Sequence, residues 1–121
     1  MKSWTITIPR EPTSANKLLR MHWAPRNRLL DEWKHDVYYL CREAGVPKCA
    51  RIIVDVRVYY RTRRARDRDN AEFGVRKLLG DSLEGTVVFN DNPSFLRWGA
   101  FAMLHDPDNP RIEVTITDDP R

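Results

Sequence analysis

The stretch Arg51-Ile52-Ile53-Val54-Asp55-Val56-Arg57-Val58-Tyr59-Tyr60 decides the fold. In an extended chain Ile52, Val54, Val56, Val58 and Tyr60 share one face, while Asp55 and Arg57 take the other. This is the longest strand signal in the chain and predicts a central strand packed on one side. It runs directly into Arg61-Thr62-Arg63-Arg64-Ala65-Arg66-Asp67-Arg68, with five arginines in eight residues. A cationic run at the end of a core strand reads as a phosphate-binding stripe.

Working outward, the preceding segment is helical. Leu29, Leu30, Trp33, Val37, Leu40, Cys41 and Ala44 recur at steps of three and four. Pro25 suits the first turn, Gly45 the C-terminal stop, and Pro47 blocks continuation. Leu18 to Trp23 reads as a short extended stretch or remains ambiguous. Trp4, Ile6 and Ile8 alternate with Thr5 and Thr7, which predicts a half-buried opening strand ended by Pro9.

Downstream of the arginines, Asp69 to Glu84 reads as a second helix supported by Phe73, Leu78, Leu79 and Leu83. Gly74 and Gly80 each cost it about 1 kcal/mol relative to Ala. Thr86 to Phe89 is expected as a short strand, followed by a turn at Asn90-Asp91-Asn92-Pro93. Phe95–Leu104 and Arg111–Thr117 are expected as two strands joined by a hairpin loop at 105–110. The reading is therefore one domain over 1–121. Its class is α+β in two layers, a mixed four- to five-stranded sheet with two main helices on one face.

Composition narrows the function classes. The 121 residues carry 21 Lys and Arg against 17 Asp and Glu, a formal net charge of +4. No run is apolar enough to span a bilayer, so a soluble, cytoplasmic protein is expected. The two cysteines, Cys41 and Cys49, fit no zinc spacing. Cys41 lies on the apolar helix stripe and is expected to be buried. Trp23, Trp33 and Trp98 are expected as core or dimer contacts, and His35 and His105 as exposed.

Asp67 and Asp69 are two apart at the end of a strand. If extended geometry persists, both carboxylates point to one side and repel, and a divalent cation or a shared proton relieves this. Asp91, at a strand-to-turn junction, is the natural third ligand for a hard cation. Arg61 and Arg63 would then share the face of Asp67 and Asp69, with Arg64, Arg66 and Arg68 opposite. Acids flanked by arginines suit metal-assisted cutting of a polyanion. The same spacing also suits a plain helix cap, with Asp69 or Asn70 accepting from the first N–H groups and arginines balancing the acids.

Three stretches add a resemblance. Arg66-Asp67-Arg68-Asp69-Asn70, then Lys77-Leu78-Leu79-Gly80-Asp81-Ser82-Leu83, then Val87-Val88-Phe89-Asn90-Asp91 resemble the RusA-type Holliday junction resolvases. Trp4–Pro9, followed by Pro12, Ser14 and Asn16, is similar to that family's opening strand and loop. Ile112–Thr117 is similar to its closing strand. The resemblance implies a RusA-like homodimer that binds four-way DNA junctions and nicks opposing strands with Mg²⁺, or with Mn²⁺ in its place. It assigns metal binding to Asp67, Asp69 and Asp91, and charge stabilisation or proton transfer to Lys77. Asn70, Asp81 and Asn90 take supporting roles. Arg61, Arg63, Arg64, Arg66, Arg68, Lys17 and Arg20 are expected on the DNA, with His22 beside them. Two departures stand out. Asn90 replaces the first acid of the family's Asp-Asp pair. The family's lysine spacing from Asp67 lands on Phe73, about one helical turn before Lys77, leaving Arg76 as a second candidate cation. These departures motivate an alternative, a junction-binding protein of the same fold without catalysis. A third reading uses the arginine stripe alone to bind RNA or a protein partner.

Overall fold

The computed structural model describes residues 1–120. The strand read from 51–60 forms as β2 (Ile52–Tyr60), with alternate residues buried from Ile52 to Tyr60. It follows β1 (Ser3–Ile8), α1 (Ala15–Arg20) and α2 (Trp23–Ala44), and precedes α3 (Arg68–Leu83), β3 (Leu96–His105) and β4 (Arg111–Asp118). The four strands form one mixed sheet in the order β1-β4-β2-β3. The α+β class and the helix-on-sheet layering hold, with four strands.

The core is one layer between the sheet and the helices. Ile6, Ile8, Val54, Val56, Val58, Ile112, Val114 and Ile116 come from the strands. Trp33, Val37 and Cys41 from α2, and Val75, Leu78, Leu79 and Leu83 from α3, close over them. Each such side chain contributes roughly 1.5–3 kcal/mol on burial. Cys41 is buried as expected, and burial pushes its thiol up to about 11.

Three local expectations need correction. Residues 15–20 are a helix, because the Ser14 side chain accepts from Lys17 N and caps it. Thr86–Phe89 is not a strand; only a bridge between Glu84 and Val88 forms. Residues 105–110 do not close a hairpin. β3 pairs parallel with β2, and β4 pairs antiparallel with β2 on its other side. Alternation fixes which face a strand buries but not which neighbour it takes. The loop crosses the end of β2, where Asp106 N donates to Tyr60 O, and Arg111 Nη1 donates to Asp106 Oδ2 at 2.8 Å.

The two glycines counted against α3 have positional reasons. At Gly74 a Cβ would stand 2.0 Å from Thr13 O and 2.8 Å from Ser14 C. The backbone entering α1 therefore rests directly on α3. At Gly80 a Cβ would stand 3.0 Å from Asp91 Oδ2. An ordinary helical Gly→Ala gains about 1 kcal/mol in propensity. At position 74 the sign reverses, because backbone must move: Gly74→Ala is expected to cost about 2 kcal/mol net. Thermal denaturation checks this; a raised Tm would contradict the packing described.

Candidate functional site

The strand geometry that was to align Asp67 with Asp69 ends at Tyr60. Residues 61–67 form a loop, and α3 starts at Arg68. Asp67 is the helix N-cap, its Oδ1 accepting from Asp69 N at 3.0 Å and Asn70 N at 3.3 Å. The cap forms, but on Asp67 rather than on Asp69 or Asn70. Asp69, in the first turn, is exposed and favoured there by the helix dipole. Asn70 takes a different role: its Oδ1 accepts from Asn16 N at 2.8 Å and ties α1 to α3.

Asp67 and Asn70 line a polar cleft of about 500 Å³ with Glu11, Ser14, Lys17, Tyr60, Arg64 and Arg66. The arginines are not a two-faced stripe, because the loop turns. Arg66 lies over the Tyr60 ring at 3.7 Å and donates to Thr62 O. Arg61 N donates to Glu11 Oε1 at 3.1 Å. Arg63 Nε donates to His105 Nδ1 at 3.0 Å, which leaves the His105 Nε2–H to donate to Arg61 O. Arg68 donates to Phe101 O on β3. Guanidinium groups with one donor engaged keep others for a phosphate. Arg64 and Lys17 face the same cleft, whereas Arg20, at the end of α1, is not among its walls.

Lys77, Asp81 and Asp91 lie elsewhere. Lys77 Nζ pairs with Asp81 Oδ2 at 3.1 Å, the helical ion pair expected from their spacing. Burial raises the Asp91 carboxyl above the usual carboxylate range. Asp81 and Glu84 add to this, and Lys77 opposes it. Asn90 accepts from Asn92 N and shapes the turn. Asp91 touches α3 at Gly80, thirteen residues beyond the Asp67 cap. At 1.5 Å per residue the two acids are separated by about 20 Å along the helix. Among the described residues no group of three His, Cys, Asp or Glu side chains could hold a metal ion. The expected convergence of Asp67, Asp69 and Asp91 does not occur within one chain, because α3 is an unbroken rod between them.

The second cluster borders an apolar groove of about 810 Å³ between α1, the start of α2, and α3, lined by Leu18, Leu19, Leu30, Phe73, Lys77 and Trp98 among others. Arg76, the second candidate cation, pairs with Glu72 and lies over the Trp98 ring at 5.5 Å. Trp33 is core and Trp98 is half-buried against it, but Trp23 is 63% exposed. His35 is exposed, whereas His105 is partly buried and bonded. Sequence reading passed over Glu11, Tyr60 and His105. Each meets the arginine loop from an element distant along the chain or from a strand end, and local spacing carries no signal of that.

Comparison with protein-family models gives no match, and neither does comparison with curated proteins. No helix among the described residues is long and apolar enough to cross a membrane.

The raised Asp91 carboxyl gives a stability test. Its folded-state value lies above the unfolded one, so its stabilising contribution exists at low pH and is lost as pH rises through that raised value. At neutral pH the ionised group costs stability. Asp91→Asn is therefore expected to raise Tm at pH 7, with the gap to wild type closing below the usual carboxylate range. A gap independent of pH would contradict this.

Proposed function

We propose that this chain is one half of a homodimeric, metal-dependent endonuclease that binds and cuts branched DNA, with four-way junctions as its substrate class. The observation that carries the reading is the pairing of an acid with a basic cleft. Asp67 sits at a helix N-terminus in a polar hollow walled by Lys17, Arg64 and Arg66. A DNA phosphate entering it meets Lys17, Arg64 and Arg66 beside the carboxylates of Glu11 and Asp67. The resemblance of 66–70, 77–83 and 87–91 to RusA-type resolvases supplies the substrate class and Mg²⁺, with Mn²⁺ as a substitute.

Among the described residues a single chain does not fit a three-carboxylate magnesium centre. Its two acidic ends are half-sites: Asp67 and Asp69 at one, Asp81, Glu84 and Asp91 with Lys77 at the other. The reading therefore requires a second copy whose Asp91 end approaches the Asp69 end of the first. A two-fold dimer does this twice, which also matches the near two-fold symmetry of a junction. In this account Lys17, Arg64 and Arg66 hold phosphates. Asp67 holds the helix cap through Oδ1 and lines the cleft. Asp69 is the exposed acid.

The test is cleavage of a synthetic four-way junction in Mg²⁺. Wild type is expected to give paired nicks, and Asp69→Asn or Asp91→Asn alone to lose at least about a hundredfold in rate, as for loss of a metal-site group. Mixed dimers of these two variants recover one intact site and are expected to nick one strand only. Failure of the mixture to recover any cutting would refute the shared site. The split of the acids within one chain favours one other reading, binding without catalysis. It predicts junction binding that persists in EDTA, with no product under any metal.

A further inference from the structure

β3 ends the sheet, so one side of its backbone has no strand beside it. An open edge is a template for another extended chain, and proteins guard it with charge, proline or a bulge. The first half of β3 is guarded in this way. Gly99 and Ala100 bulge against Asp55, whose Oδ1 accepts from Ala100 N at 2.7 Å. The second half, Phe101-Ala102-Met103-Leu104-His105, pairs in register with residues 56–60 of β2 and contains no proline, lysine or acid.

The ladder determines which groups this half leaves open. Asp106 N donates to Tyr60 O, and His105 stands opposite Tyr60. Backbone groups alternate along a strand, so residues 102 and 104 turn to β2 while 101, 103 and 105 turn away. Arg68, reaching over from α3, donates to Phe101 O. Four residues on, Arg63 Nε donates to His105 Nδ1 at 3.0 Å. Both guanidinium groups keep further donors, and the Arg68 side chain is 57% exposed. The two arginines therefore mark the ends of an open segment about 13 Å long.

Charge and backbone chemistry select the occupant. A second β3 laid antiparallel and centred on Met103 would bring Phe101 opposite His105 and set Arg68 against Arg63 of the copy. Like charges across such a pair are destabilising. A nucleic-acid backbone offers phosphate acceptors and would leave the Met103 and His105 carbonyls facing anions. An extended peptide offers donors and acceptors in the strand's own alternation, and carboxylates four residues apart match the two arginines. We propose that residues 101–105 are a docking edge for an extended acidic segment of a partner protein, which adds a fifth strand and places its acids on Arg63 and Arg68. Neither arginine walls the Asp67 cleft, so this surface goes beyond the endonuclease reading.

The test is fluorescence anisotropy with a labelled synthetic peptide of alternating valine and threonine, carrying glutamates four residues apart, without DNA or metal. Binding is expected, with amide hydrogen exchange slowed at Phe101, Met103 and His105. The same peptide with N-methylated amides keeps its charges but loses its donors. It is expected to bind at least about tenfold more weakly, since strand addition draws its affinity from main-chain bonds. Joint Arg63→Glu and Arg68→Glu substitution, with folding confirmed by far-UV circular dichroism, is expected to weaken binding about tenfold and to favour a peptide with lysines in place of the glutamates. No binding to wild type at millimolar peptide, or binding indifferent to N-methylation or to the arginine pair, would overturn the proposal. A four-way junction that slows the same three amides would assign the edge to nucleic acid and overturn it as well, whatever the outcome of the cleavage assay.

Discussion

Everything in this molecule is organised by one rigid rod. α3 packs Val75, Leu78, Leu79 and Leu83 onto the sheet and runs unbroken for 16 residues. A helix of that length holds its ends about 24 Å apart. Its burial fixes it, and its capping by Asp67 fixes where it starts. The chain between β2 and β3 therefore delivers its two acidic clusters to opposite ends of one element. No side-chain rotation closes that gap. What the chain can do with its acids follows from what else comes to each end.

At the N-terminal end the answer is cations. The arginine loop is braced by Glu11, Tyr60 and His105, which contact Arg61, Arg66 and Arg63 respectively, and Arg66 lines the cleft with Asp67. Such bracing would lower the entropy lost on binding a phosphate, the role proposed for this cleft. At the C-terminal end Asp91 is pressed against Gly80, near Asp81 and Glu84, and its charge is costly there. A group kept ionisable at a cost is a common mark of a working site. The two ends are complementary in charge, and the apolar groove with Phe73 lies between them.

Sequence made much of this legible. The alternation from Ile52 to Tyr60 and the stripe from Leu29 to Ala44 forecast β2 and most of α2, because a two-layer fold buries one face of each. Lys77 and Asp81 met as their spacing implied. What failed was non-local. β4 chose the far side of β2, a matter of edge pairing rather than face pattern. The glycines of α3 were read as a propensity cost, yet each makes room for an approach that comes from elsewhere, Thr13 at Gly74 and Asp91 at Gly80. The three aspartates are joined in the sequence by carboxylate chemistry, an assumed extended backbone at 67–69, and motif order. Order says nothing about the length of helix laid between the motifs, and here that length decides the geometry.

The most direct test of the account is a distance. A spin label placed at Arg76→Cys, with Cys49→Ser removing the half-exposed native thiol, reports the separation of the two α3 helices in the proposed dimer. Antiparallel helices at an interaxial distance of 8–10 Å predict one narrow distribution below roughly 30 Å once label tethers are included. A dipolar signal that is absent, or centred well beyond that distance, would contradict the arrangement on which the shared site depends.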